Sequence, residues 1–277
     1  MIEFATIPKK LVPRDKKEYA QKVPKIIWQT MKTNKVPVLM KNYADSWIDL
    51  NPEYEYRFCD DEDIIAFLKA DFPEYLDGYN KLKYGASKAD LWRYLIMYKY
   101  GGVYADIDCK CIMPLRHWIK PESVFVTQLG TNKDICQWLI ITVPQNPVFL
   151  KAAQMTLQNS KNNNHKAKYY GFEFLKNQLV LRENLPIIKF NHEVLGLSGP
   201  PVLQEAAEGC FKEGLLSAII PFIQVVCVSG ATSCQMNGNV THDTGDVAYK
   251  KSYKSLKLNH YNGRLQRIKR KIGDFFN

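Results

Sequence analysis

The feature that most constrains this fold is one stretch, residues 85–110, with the sequence GASKADLWRYLIMYKYGGVYADIDCK. Between residues 88 and 100 the apolar positions recur with the period of a helix, and two glycines follow at Gly101 and Gly102. Glycine adopts the backbone conformations that end helices. Residues 103–107 are suited to a buried strand that ends in Asp106-Ile107-Asp108. The stretch therefore predicts a helix, a glycine turn and a short strand in direct succession.

Four charged side chains are expected to converge in this unit. Asp106 and Asp108 are two residues apart, so on a strand both carboxylates would project from the same side. Like charges held together cost free energy unless a cation lies between them, and carboxylate oxygens suit Mg²⁺ or Mn²⁺. Asp90 and Arg93, spaced i and i+3, share one face of the preceding helix. We therefore predict a site for a divalent metal here.

Composition excludes several classes of protein. The hydrophobic content of 46% predicts a globular chain of 277 residues. The net charge is +10, and nine Lys or Arg against one acid from Lys250 onward account for most of it, so a nucleic-acid binder is not expected. Seven cysteines without paired spacing, no secretory leader and no run of 18 apolar residues predict reduced thiols and a cytoplasmic location. Cys109 and Cys111 have no partner pair that would suggest zinc.

The order of predicted elements indicates an open α/β sheet. Residues 23–30 are predicted to form the first strand, residues 35–51 a helix, residues 53–58 a second strand, and the acidic run 60–63 the start of another helix. Ligands of such sheets bind at the carboxyl ends of the strands. Trp28 is expected near such an end, where its pattern alone favours a place in the core.

The two ends of the chain are interpreted separately from the central part. Residues 1–22 are polar and are predicted to form an N-terminal arm or a short leading helix. Residues 251–277 are predicted to form a basic amphipathic helix, with apolar residues along one side. Such a helix fits either packing on the domain or peripheral contact with an anionic membrane.

Four segments together resemble a known family. They are PKIIWQT (24–30), SWIDLNPEYEYRFCDD (46–61), ADLWRYLIMYKYGGVYADIDC (89–109) and LSGPPVL (197–203). The chain is similar to glycosyltransferase family thirty-two, which includes yeast initiating α-mannosyltransferases and shares its core with the large clostridial glucosylating toxins. The resemblance implies a GT-A fold over residues 23–250, with a single open mixed sheet flanked by helices.

The resemblance also implies an activity. A protein of this family is expected to be a metal-dependent, retaining glycosyltransferase that moves a hexose from a nucleotide sugar to a hydroxyl group of a glycan or protein. A UDP-sugar is the favoured donor and GDP-mannose the other candidate. The expected cofactor is Mn²⁺ or Mg²⁺.

Residue roles follow from the same resemblance. Asp108 looks like the direct metal ligand, and Asp106 like the acid that contacts the donor and reaches the metal. Asp90 and Arg93 resemble the pair that holds the donor sugar and its diphosphate. Catalysis is therefore assigned to Asp106, Asp108 and Arg93.

The remaining donor-binding and metal-binding residues are assigned from the same resemblance. Trp28 stands where related toxins stack a tryptophan on the nucleobase, although family members commonly have histidine there, and Gln29 and Thr30 follow it in the donor-binding segment. A histidine from the C-terminal half is expected near the metal. His242, in a loop of small residues, is preferred to His260.

Two other functions remain open. Paired aspartates with Mg²⁺ also occur in phosphohydrolases and nucleotidyltransferases, which usually need further acids on neighbouring strands. A non-enzymatic peripheral membrane module would use the basic C-terminal helix.

Overall fold

The computed structural model describes residues 3–117, 119–128, 135–162, 194–216, 223–226 and 232–234. Its strands, in chain order, are β1 (Phe4–Thr6), β2 (Lys10–Leu11), β3 (Ile26–Thr30), β4 (Lys35–Pro37), β5 (Glu55–Cys59), β6 (Gly102–Ala105), β7 (Cys109–Cys111), β8 (Phe125–Gln128), β9 (Leu139–Thr142), β10 (Ile223–Val226) and β11 (Thr232–Cys234). Its helices are α1 (Val38–Leu50), α2 (Asp61–Asp71), α3 (Pro73–Lys81), α4 (Gly85–Tyr100), α5 (Pro147–Lys161) and α6 (Pro200–Lys212), and a 3₁₀ turn covers Leu115–His117.

The main sheet is mixed and open. Its seven strands lie in the order β10-β8-β9-β6-β3-β5-β2. The three central strands β6, β3 and β5 are parallel, whereas β9 runs antiparallel to both β6 and β8. Two further pairs, β1 with β4 and β7 with β11, are antiparallel and lie outside this sheet. The predicted mixed sheet flanked by helices is confirmed, with these two small sheets added to it.

The core lies on both faces of the sheet because successive strand residues point to opposite sides. On β3, Ile27 packs with α1, and Trp28 packs with the layer that holds α2 to α6. On β6, Val103 and Tyr104 divide in the same way. The two apolar clusters explain why the central strands are hydrophobic along their whole length rather than alternating.

Local signals account for several helix boundaries. Asp60 caps α2, because its side chain accepts from the Asp63 backbone N–H and the Asp63 side chain accepts from the Asp60 backbone N–H. The acidic run 60–63 is therefore the helix start that we predicted. Asn146 caps α5 through the Val148 amide. Helix α6 begins with a proline after Gly199, as helices often do.

Two predictions for the N-terminal third were wrong in detail. The segment expected to be an arm or a leading helix instead contributes β1 and β2, and β2 pairs with β5 at the edge of the main sheet. The helix predicted over residues 35–51 begins only at Val38, because residues 35–37 pair with β1 as β4. In both places strand pairing across the chain decided a conformation that local periodicity could not reveal.

Two further points bear on the predictions for the whole chain. In the part of the chain that the structure describes, no helix is long and apolar enough to cross a membrane. The basic helix predicted for residues 251–277 and both candidate histidines, His242 and His260, lie outside the described residues.

Candidate active site

The two acids of the motif lie in a turn rather than on a strand. Strand β6 ends at Ala105, and the chain then turns over residues 106–108 before β7 begins at Cys109. The Asp106 amide donates to the Trp138 carbonyl at 2.8 Å, and the Cys109 amide donates to the Asp106 carbonyl at 3.0 Å. The expected strand alternation therefore does not apply here. The neighbouring side chains, and not the pleat of a strand, fix the Asp106 carboxylate.

The glycine turn before β6 brings helix α4 back over this site. Gly101 and Gly102 have positive φ angles of 62° and 99°, as we predicted for this position. A Cβ on Gly101 would lie 2.6 Å from the Thr142 carbonyl oxygen, so the turn also needs the space. Because the chain reverses here, the early turns of α4 lie towards the carboxyl end of β6. Arg93 can therefore reach Asp106.

Arg93 is the centre of the site. Its Nη2 donates to Asp106 Oδ1 and to the Tyr104 hydroxyl, both at 3.0 Å. The Tyr104 hydroxyl in turn donates to Asp106 Oδ1 at 2.7 Å. Two donors thus hold one oxygen of Asp106, whose side chain keeps 30% of its surface exposed. Within the described residues Asp106 Oδ2 has no hydrogen-bond partner, so it can accept a ligand.

Asp90 is the second acid on Arg93, and the pair is buried. Arg93 Nη1 lies 3.3 Å from Asp90 Oδ1 and donates to the Gln137 carbonyl at 2.9 Å. The side-chain Nε2 of Gln137 donates to Asp90 Oδ1 at 3.0 Å, and the Ser198 hydroxyl donates to Asp90 Oδ2 at 2.7 Å. Asp90 and Arg93 are only 3% and 5% exposed. The sequence therefore placed the pair correctly, on one face of the helix.

Electrostatics explain how three charges share this small volume. Burial raises the pKa of Asp90 to about 6, although Arg93, Ser198 and Gln137 oppose that rise. Burial on its own would lower the pKa of Arg93, but Tyr104, Asp106 and Asp90 outweigh it and raise that pKa. The Arg93 guanidinium is thus paired with the carboxylates of both Asp90 and Asp106. Together with Asp108, the group has a net negative charge that a divalent cation would balance.

The residues present fit a divalent metal that relies on its substrate for further ligands. Asp106 offers Oδ2, and Asp108 lies partly exposed in the same turn. The described ranges contain no group of three or more His, Cys, Asp or Glu side chains that could hold a metal. Mg²⁺ sites commonly use one or two carboxylates plus phosphate oxygens, so two acids suffice for a nucleotide-bound ion. Asp106 and Asp108 would hold it.

Gln29 is brought to the site, but it contacts the protein. It is fully buried, its amide donates to the Asp106 carbonyl at 3.3 Å, and its oxygen accepts from the Tyr56 hydroxyl at 2.8 Å. Thr30, the last residue of β3, donates its hydroxyl to the Cys59 carbonyl at 2.7 Å. Both therefore support the carboxyl edge of the central strands. Direct contact with a donor stays a prediction.

The Trp28 indole lies at the amino end of β6, although the Trp28 Cα pairs with that of Tyr104. Its indole N–H donates to the Gly101 carbonyl at 2.9 Å, its ring stacks on Tyr100, and it is 5% exposed. Asp106 follows β6 at the opposite end, so the structure does not bring the indole beside the motif. The packed position agrees with the core role that the pattern alone favoured, and stacking on a nucleobase remains a prediction.

Sequence reasoning missed the residues that hold the turn from the side of α1. The Trp47 indole donates to the Cys109 carbonyl at 2.8 Å, and the Ser46 hydroxyl accepts from the Cys111 amide at 2.9 Å. The apolar spacing of the helix placed Trp47 on a buried face, but nothing in the sequence revealed what its N–H would bind. Gln137 and Ser198 were also missed, because they lie 47 and 108 residues from Asp90.

Comparison with known proteins identifies the region that contains this site. Residues 37–125 match the family described as "Glycosyltransferase sugar-binding region containing DXD motif". The match covers α1, α4 and the turn with Asp106 and Asp108. The resemblance drawn from the sequence is therefore confirmed for this glycosyltransferase region.

Two fungal proteins are similar to this region of the chain. The chain is 42% identical over 107 residues to inositol phosphoceramide mannosyltransferase 3 of Schizosaccharomyces pombe, covering 36% of this chain and 30% of that protein. It is 34% identical over 157 residues to mannosyl phosphorylinositol ceramide synthase SUR1 of Saccharomyces cerevisiae, covering 56% of this chain and 38% of that protein. The matched segments thus span well under half of these relatives.

Two solved glycosyltransferase structures resemble this chain at low sequence identity. The UDP-bound glycosyltransferase domain from the YGT toxin gives a TM-score of 0.49 at 9% identity, covering 76% of this chain and 80% of that one. The PaToxG glycosyltransferase gives a TM-score of 0.45 at 17% identity, covering 72% of this chain and 74% of that one.

Proposed function

We propose that this chain is a metal-dependent glycosyltransferase that moves a hexose from a nucleotide sugar to an acceptor hydroxyl. The observation that carries the proposal is the fixed Asp106 carboxylate. Arg93 and Tyr104 occupy its Oδ1, which leaves Oδ2 open beside Asp108 within the matched glycosyltransferase region. This arrangement suits a cation bound to a diphosphate.

The chemistry of the donor explains why the site needs this charge pattern. As the bond between sugar and diphosphate breaks, negative charge grows on the leaving phosphate, and a divalent ion bound there would act as a Lewis acid. Arg93 keeps Asp106 in one orientation before the donor arrives, so little reorganisation is needed during the reaction. Direct contact between Arg93 and the diphosphate is the role that the family resemblance implies. In this structure Nη1 donates to the Gln137 carbonyl, and Nη2 donates to Tyr104 and Asp106.

Mannose is the first choice for the sugar. Several relatives are named as mannosyltransferases, including the one that is 42% identical. GDP-mannose is therefore preferred over the UDP-sugar that the likeness of Trp28 to the toxins favoured, because the Trp28 indole is packed against Tyr100 and bonded to Gly101. The acceptor would be a hydroxyl of a glycan or another molecule, and inositol phosphoceramide is a reasonable first test.

Retention of anomeric configuration is the expected stereochemistry. The family resemblance favours front-face attack by the acceptor hydroxyl, with the departing phosphate taking its proton. No protein nucleophile is assigned in this scheme. A covalent glycosyl adduct trapped on an Asp or Glu of this chain would contradict it. The cytoplasmic location and a membrane-binding C-terminal helix stay predictions.

A phosphohydrolase is the second enzymatic candidate, but it has less support. Such enzymes usually gather several acids around two metals. The residues that the structure describes contain no cluster of that kind. Release of free nucleoside monophosphate from a sugar nucleotide, without sugar transfer, would favour this candidate over ours.

The test is a transfer assay with Asp108→Asn and a matched surface variant. Purified chain is incubated with inositol phosphoceramide as acceptor and GDP-mannose or UDP-glucose as donor, with Mn²⁺ or EDTA, and both sugar transfer and release of nucleoside diphosphate are measured. We expect Mn²⁺-dependent release by the wild type and at least a roughly 100-fold loss in Asp108→Asn, because removing one charge-stabilising group costs about that much.

The control is Asp77→Asn, which changes an exposed acid in α3 that pairs with Lys81. Asp77→Asn should release nucleoside diphosphate at the wild-type rate. Both variants should unfold at the wild-type urea midpoint, which separates lost chemistry from lost folding. Near-normal turnover by Asp108→Asn would remove Asp108 from the proposed role, and activity that persists in EDTA would remove the metal.

A further inference from the structure

Ser198 connects the 197–203 motif to Asp90, the buried acid of the site. Ser198 is fully buried, and its hydroxyl donates to Asp90 Oδ2 at 2.7 Å. It ends a helical segment over residues 194–198, just before Gly199 and α6. This part of the chain reaches the site from more than a hundred residues away in the sequence.

The backbone around Ser198 is built to deliver that hydroxyl. The Tyr94 hydroxyl lies 2.6 Å from the Ser198 carbonyl oxygen, so α4 anchors the main chain independently of the side chain. A Cβ on Gly199 would lie 2.7 Å from the Leu195 carbonyl oxygen, so the chain can turn this tightly only with glycine there. The main chain at Ser198 is therefore held independently of the hydroxyl's bond to Asp90.

The acceptor sites of Asp90 can be counted. A carboxylate has about four lone-pair sites, two on each oxygen. Gln137 donates to Oδ1, Arg93 Nη1 lies 3.3 Å from the same oxygen, and Ser198 donates to Oδ2. Among the described residues nothing occupies the second site on Oδ2. At least one acceptor site therefore remains on Asp90 Oδ2.

We propose that Ser198 is a positioning residue that orients Asp90 so that the remaining site on Oδ2 accepts a hydroxyl of the donor sugar. This inference rests on the proposed function and adds Ser198 to it. Without the Ser198 hydroxyl, Oδ2 has no partner in the described part of the protein, and the carboxylate can rotate away from the sugar. Arg93 keeps its bonds to Asp106, Tyr104 and Gln137, so the metal side of the site is preserved.

The effect should therefore be specific for the sugar. We would measure binding by calorimetry in Mn²⁺, using GDP-mannose with GDP and UDP-glucose with UDP, for the wild type and Ser198→Ala. For the sugar nucleotide that the wild type binds, Ser198→Ala should bind about ten- to a hundredfold more weakly, as expected for one lost hydrogen bond to a charged group. Binding of the free nucleoside diphosphate should stay within about twofold of the wild type.

Thr156→Val is the matched control. It also removes one fully buried hydroxyl, which bonds the Ala152 carbonyl at 2.9 Å inside α5, away from Asp90. It should leave both affinities unchanged. Ser198→Cys keeps a weak hydrogen-bond donor and should lose less affinity for the sugar nucleotide than Ser198→Ala does. If Ser198→Ala does not fold, Ser198→Cys is used in its place.

The outcomes separate the two proposals. Unchanged sugar-nucleotide binding in Ser198→Ala, or an equal loss for the sugar nucleotide and the free diphosphate, would overturn the positioning role while leaving the glycosyltransferase proposal standing. A wild-type chain that binds neither sugar nucleotide would overturn the proposed function and the role of Ser198 with it. A loss confined to the sugar nucleotide supports both.

Discussion

The turn with Asp106 and Asp108 is held from two sides by different kinds of contact. On the α4 side, Arg93 and Tyr104 bind the Asp106 carboxylate, and a second buried acid lies behind them. On the α1 side, the Trp47 indole binds only the backbone, at the Cys109 carbonyl. One side therefore fixes a charge, and the other fixes the path of the chain.

This difference predicts how strongly substitutions on each side should affect stability and donor binding. Removing one member of a buried charge cluster leaves the others uncompensated, which costs several kcal/mol. Removing one neutral hydrogen bond costs the desolvation of a single carbonyl group, about 1–3 kcal/mol. Changes on the α4 side should therefore affect folding and donor binding strongly, and changes on the α1 side should affect them mildly.

The largest expected effect comes from Arg93→Met, which keeps much of the side-chain volume but removes the charge between Asp90 and Asp106. We expect a loss of about 3–5 kcal/mol in the free energy of unfolding, measured by urea titration at pH 7. Lys99→Met removes a half-exposed cation that pairs with Asp71 and should cost below about 1 kcal/mol. A loss for Arg93→Met as small as that of the control would show that the cluster is not electrostatically coupled.

The second effect is a pH dependence due to Asp90. Its pKa is raised from 3.8 to about 6 by burial, so between these values the folded state binds a proton that the unfolded state has released. Stability therefore falls as pH rises from about 4 to about 6 and is level above that. The two-unit shift corresponds to about 3 kcal/mol.

The measurement is the urea midpoint of the wild type and Asp90→Asn at several pH values between 4 and 7. Other acids titrate in both proteins, so the difference between the two curves isolates Asp90. We expect the wild type to lose stability relative to the variant as pH rises. Parallel curves would mean that the partners of Asp90 fully offset its burial.

The smallest expected effect comes from the two buried tryptophans. Trp47→Phe and Trp28→Phe each remove an indole N–H that donates to a carbonyl, that of Cys109 and that of Gly101 respectively. Each should cost about 1–3 kcal/mol in unfolding free energy. Only Trp47→Phe should also weaken Mn²⁺-dependent nucleotide binding, since only its bond adjoins Asp108. A larger loss of nucleotide affinity in Trp28→Phe would instead support the predicted stacking of Trp28 on the base.

The sequence supported the fold better than the site. The alternation of strands and helices, the glycine turn and the capping acids are local patterns, and the structure confirms them at Gly101–Gly102 and at Asp60. The strands near the N-terminus were not predictable in the same way. They exist because β2 and β1 find partners at β5 and β4, which lie distant in the sequence.

The sequence by itself determined that Asp90 and Arg93 share a helix face and that two acids follow a buried strand, because both facts depend only on spacing. It did not determine which oxygen of Asp106 is occupied, or that Gln137 and Ser198 complete the shell of Asp90. Those contacts join residues 47 and 108 positions apart, so only packing could decide them. Tertiary structure also put the Trp28 indole at the opposite end of β6 from Asp106, since the face and direction of a buried ring are set by its neighbours in space.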